Sequence, residues 1–211
     1  MKALLFTALI VAGACKGRQK ETKMEDKMSG PVVVMETNMG TMKIKLYNAT
    51  PKHRDNFLKL VDEGFYDSLK FHRVIEGFMI QGGDPLSKDD SLRARWGTGG
   101  PGYTVAAEFD PELRHCKGAL ASARLGDMAN PTKASSGSQF YIVQSERGCA
   151  HLDGQYTVFG QVIEGLDIVD AIAGIDVDPY DRPIVPAVIN KVYRELPDSE
   201  TKVPVDSTLT D

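Results

Sequence analysis

The stretch FHRVIEGFMIQGGD, Phe71 to Asp84, decides the reading of this chain. It brings one arginine, several apolar side chains and a glutamine into a short span. Taken as extended backbone, Arg73, Ile75 and Gly77 fall on one face and His72 and Val74 on the other. The alternation then lets Met79 and Gln81 share a face with Arg73, with Phe78 nearby. A guanidinium beside a thioether and an amide is a fixed positive donor at the edge of an apolar surface. Such a surface suits a neutral, partly hydrophobic ligand, whereas a phosphate would need more cations.

Outward from this stretch the chain reads as mostly β. Val32 to Thr37 is a β-branched run, Met42, Ile44 and Leu46 alternate with lysines, and Asn38-Met39-Gly40 between them predicts a hairpin turn. Thr50 before Pro51, with Phe57, Leu58 and Val61 at helical spacing as far as Gly64, predicts a helix over Pro51 to Glu63. Further strand-like runs lie at Leu69 to Val74, Phe78 to Gln81, Ala119 to Ala123, Phe140 to Gln144 and Thr157 to Val162. Leu166, Val169, Ile172 and Ala173 are spaced as a second helix, and Val188 to Tyr193 reads as a closing strand. Periodicity alone does not separate a closed barrel from a sandwich. Ser87 to Trp96 is expected to be a polar surface loop, and residues 196–211 a disordered tail.

With 211 residues, 42% hydrophobic and 26% charged, the chain has room for one well-buried domain plus tails. A net charge of −4 without an arginine-rich run excludes a nucleic-acid partner on electrostatic grounds. Lys2 followed by the apolar run Ala3 to Ala14 predicts an export signal over residues 1–14. That run spans about 18 Å as a helix, too short for a bilayer core of roughly 30 Å. Ala12-Gly13-Ala14-Cys15 resembles a bacterial lipoprotein cleavage box, after which Cys15 would carry the lipid. The alternative is a plain secretory peptide cut near Ala14. Either route exports the domain, and the lipidated reading places it on a membrane facing the periplasm or cell surface, held by the lipid alone. Residues 15–30 are then the lipidated Cys and a flexible tether, and nothing in the sequence demands an oligomer. Cys116 and Cys149 match no metal spacing; they read as free thiols, with a disulfide between them, which an oxidising compartment would permit, as the alternative.

The Arg73 segment resembles the signature of the cyclophilins, the peptidyl-prolyl cis-trans isomerases. Three further stretches agree in the same chain order: GTGGPGYTVAAEF at Gly97 to Phe109, Ala129-Asn130 followed by GSQFYIV at Gly137 to Val143, and HLDGQYTVFGQVIEG at His151 to Gly165. The resemblance covers roughly Val32 to Arg194, and the domain is set at residues 31–195. It implies a closed eight-stranded antiparallel barrel capped by two α-helices, no cofactor, and proline-containing polypeptides as partners.

By the same resemblance Arg73 and Gln81 would be catalytic. Phe78, Met79, Tyr141 and Leu152 would line the proline pocket, Gln81 and Asn130 would hold the substrate backbone, Ala129 would pack beside the residue before proline, and Gln139 would sit at the rim. His151 stands where many cyclophilins have tryptophan and Tyr156 where they have histidine, so cyclosporin binding is expected to be weak while isomerase activity survives. Tyr141, in a place usually given to phenylalanine, adds a hydroxyl to the pocket floor.

Other chemistries find little support. His53, His72, His115 and His151 show no metal-ligand spacing. Gly97 to Gly102 lacks the Gly-Lys-Ser/Thr ending of a phosphate loop, and Ser138 lacks the frame of a nucleophile elbow. Two rival readings remain: a proline-peptide-binding chaperone or adaptor with little catalysis, and an envelope lipoprotein whose domain is only a scaffold.

Overall fold

The computed structural model describes residues 22–195. Ten strands are β1 (Val32–Thr37), β2 (Gly40–Leu46), β3 (Arg73–Ile75), β4 (Met79–Gly82), β5 (Thr104–Val105), β6 (Ala119–Ser122), β7 (Ser135–Ser136), β8 (Phe140–Val143), β9 (Val158–Glu164) and β10 (Ile189–Arg194). The helices are α1 (residues 22–28), α2 (Pro51–Asp62) and α3 (Leu166–Ala173). Eight strands form one antiparallel sheet in the order β10-β1-β2-β9-β6-β8-β4-β3, and β5 pairs separately with β7.

The expected barrel is antiparallel and eight-stranded, but it is a half-barrel rather than a closed one. No strand ladder joins the edges β3 and β10. The chain ahead of those strands meets in an isolated bridge, Lys70 to Val188, where Ile189 N–H donates to Leu69 O at 2.7 Å and Phe71 N–H to Ala187 O at 3.0 Å. Past this bridge His72 N–H donates to Gln81 O at 3.0 Å and Val74 N–H to the carbonyl of Asp181, which lies outside any strand, at 2.8 Å.

Strand alternation divides the apolar residues between two clusters. In β8, Phe140 and Ile142 point into the main core with Ile80, Leu120, Phe57 and Val169, while Tyr141 and Val143 join a second cluster with Met79, Ala119, Ala121 and Val158. Both faces of β6 and β8 are therefore covered, which is why ALAS and FYIV read as unbroken apolar runs. The second cluster, on the outer face of the sheet, carries the pocket described below.

Helix α2 buries His53, Phe57, Leu58, Leu60 and Val61 on one face. Its N-terminus is capped from a distance: the N–H groups of Lys52 and His53 donate to the Glu108 carboxylate at 3.1 and 3.0 Å, while the Thr50 hydroxyl has no partner. The His53 ring continues this link, with Nδ1 2.7 Å from Glu108 and Nε2 2.9 Å from the Ser135 hydroxyl.

Two segments expected to be irregular are ordered. Residues 22–28 are helical, and Lys27 bridges Asp110, at 2.8 Å, and Glu112, so a featureless tether does not describe residues 22–30. Met28 packs on the second apolar cluster, an anchoring contact that a polar, charge-mixed composition hides. The Ser87 to Trp96 insertion forms two 3-10 turns, Pro85–Lys88 and Asp90–Arg95. Asp84 and Asp89 accept the first N–H groups of these turns, and Trp96 is buried beneath Lys70 and Arg93. Residues 1–21, with Cys15, and residues 196–211 lie outside the described residues.

Candidate active site

The β3–β4 hairpin pairs Arg73 with Gln81 and Ile75 with Met79, and β4 pairs Gln81 with Tyr141 of β8. Residues paired directly across strands share a face, so Arg73, Gln81 and Tyr141 form one row, continued by Ala121 of β6. The face sharing expected from alternation is thus present. Gly83, at φ 87°, ends β4 with its backbone against Ser138, where a Cβ would stand 2.2 Å from the Ser138 carbonyl oxygen.

Along this row lies a pocket of about 130 Å³ lined by Arg73, Phe78, Met79, Gln81, Ala123, Arg124, Tyr141, Leu152 and Tyr156. Met79 and Tyr141 are buried in its floor. Phe78 stands at the wall, its ring 6.1 Å from that of His151, which is exposed on the 3-10 turn Ala150–Leu152. Tyr156 also lines the pocket, its ring edge-on to Tyr141 with centroids 5.9 Å apart. Arg73 sits at the lip, its side chain 44% exposed and its Nε 3.5 Å from the Asp181 carboxylate.

Gln139, expected at the rim, is not among the residues that line the pocket. It is buried, accepts from Gln81 Nε2 at 3.1 Å, and donates through Nε2 to the carbonyls of Gly97 and Gly99 at 3.0 and 2.7 Å. Its role is to fix Gln81 and tie the glycine-rich turn to β8. Asp84 holds the other side of that turn by accepting from the N–H groups of Gly97 and Gly99. His72, on the face opposite Arg73, is buried with both ring nitrogens unpartnered, and burial pushes it down to about 4, so it is neutral at pH 7.

Ala129 and Asn130 are not brought to the pocket. Ala129 is exposed, and the Asn130 amide shapes its own loop by donating to Ala134 O at 2.8 Å and accepting from Ala134 N–H and the Thr132 hydroxyl. Ala123 and Arg124, at the exit of β6, occupy the wall instead. The Arg124 guanidinium stacks 4.6 Å over Tyr156, donates to Gln155 O and pairs with Asp127. Their position directly after the apolar run Ala119 to Ser122 is the sequence signal that marks them.

The family profile described as cyclophilin type peptidyl-prolyl cis-trans isomerase/CLD matches residues 32–194. This chain belongs to the cyclophilin-type family. It is similar to peptidyl-prolyl cis-trans isomerase CYP18-1 of Arabidopsis thaliana, at 38% identity over 161 residues, covering 76% of this chain and 93% of that protein. It is also similar to a probable peptidyl-prolyl cis-trans isomerase A of Mycobacterium leprae, at 39% identity over 176 residues, covering 75% and 88%. A crystal structure of a Cryptosporidium parvum cyclophilin type peptidyl-prolyl cis-trans isomerase superposes with a TM-score of 0.70 at 31% identity, covering 79% of this chain and 98% of that one. Another crystal structure of that enzyme, in the presence of the dipeptide Ala-Pro, gives 0.69. Among the described residues no group of three or more His, Cys, Asp or Glu side chains could hold a metal ion, and no helix is long and apolar enough to cross a membrane.

Proposed function

We propose that this cyclophilin domain accelerates rotation about Xaa-Pro bonds of polypeptides folding outside the cytoplasm, working as a monomer on a lipid-anchored N-terminus at Cys15. Isomerase activity accords with the family; export and anchoring rest on the sequence of residues 1–15.

Rotation about the Xaa-Pro bond faces a barrier of about 18–20 kcal/mol because twisting breaks amide resonance. The twisted state differs from either planar isomer in one usable way: the proline nitrogen becomes pyramidal and regains a lone pair. A protein that binds the ring in an apolar pocket and aims a donor at that nitrogen favours the twisted state over both isomers. Here Met79, Phe78, Leu152 and the Tyr141 and Tyr156 rings surround the ring site, and the Arg73 guanidinium stands at the lip. Always protonated, Arg73 donates a hydrogen bond rather than a proton. Gln81, held by Gln139, is placed to orient the substrate backbone beside it.

The observation that carries this reading is the register that puts Arg73, Gln81 and Tyr141 in one row on one pocket. Exchange NMR on an Ala-Pro peptide tests it: enhanced cis-trans exchange supports the isomerase, whereas binding shifts without exchange support a proline-peptide adaptor. For export, palmitate labelling of full-length protein and of Cys15→Ser in a bacterial host is the check, with label expected only on the former.

A further inference from the structure

Beneath the pocket, Tyr141 continues into a buried polar chain. Its hydroxyl lies 3.0 Å from His115 Nε2, and His115 Nδ1 lies 2.8 Å from Asp153 Oδ1. The His115 side chain is fully buried and its ring stacks on Tyr141 with centroids 6.0 Å apart and planes 13° apart. Asp153 is fixed in turn, accepting from His115 N–H at 3.0 Å and from Arg114 at 2.8 Å.

The proton positions follow from these partners. The Asp153 carboxyl is held below the usual range: burial raises it, but hydrogen bonds from His115 and Arg114 outweigh that and keep it ionised and accepting. His115 Nδ1 must then carry the hydrogen. Burial pushes His115 down, outweighing Asp153, so the ring is neutral and Nε2 is bare. The Tyr141 hydroxyl, kept protonated because burial pushes it well above its ordinary value, therefore donates to Nε2 and points its proton away from the pocket.

We propose that His115, oriented by Asp153, is a positioning residue for the isomerase: it turns the Tyr141 hydroxyl proton out of the pocket, so that the proline ring meets an apolar floor. This rests on the isomerase reading above. A buried hydroxyl without an acceptor would turn its proton toward the pocket or draw water into it, and either opposes the ring. Protonating His115 does the same, because Nε2–H becomes a donor to the Tyr141 oxygen and the hydroxyl proton must find another direction. The groups facing His115 are Asp153 and Arg114, Cys116 beside it in the chain, Tyr141 from β8, Cys149, whose N–H donates to His115 O, and His151, whose charge opposes protonation. Only Asp153 favours the charged ring; the folded protein protonates His115 below its ordinary value of about 6.5.

The test is cis-trans exchange of an Ala-Pro peptide, read as kcat/KM from pH 7.5 to 4.5, on the wild type, His115→Phe and His115→Phe/Tyr141→Phe, with folding checked by near-UV circular dichroism at each pH. His115→Phe should lose about tenfold at pH 7.5, mainly through KM. The double variant, in which hydroxyl and acceptor are both gone, should recover most of that loss and lack the acid fall of the wild type. Asp153→Asn covers the case in which His115→Phe does not fold: removing the anion that favours the charged ring should move the acid limb to lower pH. Additive losses in the double variant, or an acid limb unmoved by Asp153→Asn, would overturn the proposal. An inactive wild type would instead sink the isomerase reading.

Discussion

Replacing Asp84 by alanine tests how the glycine-rich turn is held. Asp84 is fully buried and accepts from Leu86 N–H at 2.8 Å, from Gly97 N–H, and from Gly99 N–H at 3.2 Å. Hydrogen bonds to a charged group contribute about 1.5–3 kcal/mol each when buried. Gly97 is exposed, so water can replace part of what is lost, and a total of about 3 kcal/mol is expected rather than the sum. For a domain of this size that lowers Tm by roughly 6–12 °C. The change should appear in thermal unfolding followed by circular dichroism, and in a lower urea midpoint with an unchanged slope. Asp84→Asn, which keeps one accepting oxygen, should fall between. A loss under about 1 kcal/mol for Asp84→Ala would show that the turn is held by its own geometry and by Gln139, refuting the reasoning.

Other expected outcomes follow from the same packing. His72 titrates near 4 when folded and about 6.5 when unfolded, so below pH 6.5 the unfolded chain binds a proton that the folded one does not; stability present above pH 6.5 should fall by up to about 3 kcal/mol toward pH 4. His53 and His115 are lowered too and act in the same direction. Urea titrations of His72→Leu across that window should show a shallower fall than the wild type; parallel curves would contradict this. Of Cys116 and Cys149, both free, only the exposed Cys116 should be alkylated quickly by iodoacetamide at pH 8, because Cys149 is buried and burial raises its thiol pKa; peptide mass spectrometry giving equal rates would count against that packing.

Much of the fold was legible where side chains repeat with a clear period. The alternation of Met42, Ile44 and Leu46 and the 3.6-residue spacing in α2 and α3 placed those elements to within a residue or two. Strands β5 and β7 are two residues each, too short to carry any period, and the insertion's turns depend on Asp84 and Asp89 as caps rather than on an apolar stripe. Closure of the sheet is decided by where the carbonyls of Asp181 and Ala187 fall, which no local pattern records. In the pocket, Arg73, Met79 and Gln81 share the face that strand alternation implied, while Phe78, Tyr141, Leu152 and Tyr156, named from the resemblance, line it with them. Ala129 and Asn130 lie in a polar loop outside the pocket lining, and such a loop has no period from which its position relative to the strand end could be read. The role of His115 was equally hidden, since its partners stand 26 and 38 residues away.

Catalysis here rests on Arg73 favouring the twisted amide. The most direct measurement is cis-trans exchange on an Ala-Pro peptide by NMR, with wild type and Arg73→Ala side by side and peptide affinity measured on both. Loss of one preorganised donor typically costs 10²- to 10³-fold, and the exposure of Arg73 and its proximity to Asp181 set the expectation near the lower figure, about 10². Arg73→Ala should show that loss in exchange rate with nearly unchanged affinity. Equal, small effects on rate and affinity would contradict it and leave the pocket a binding site for proline segments.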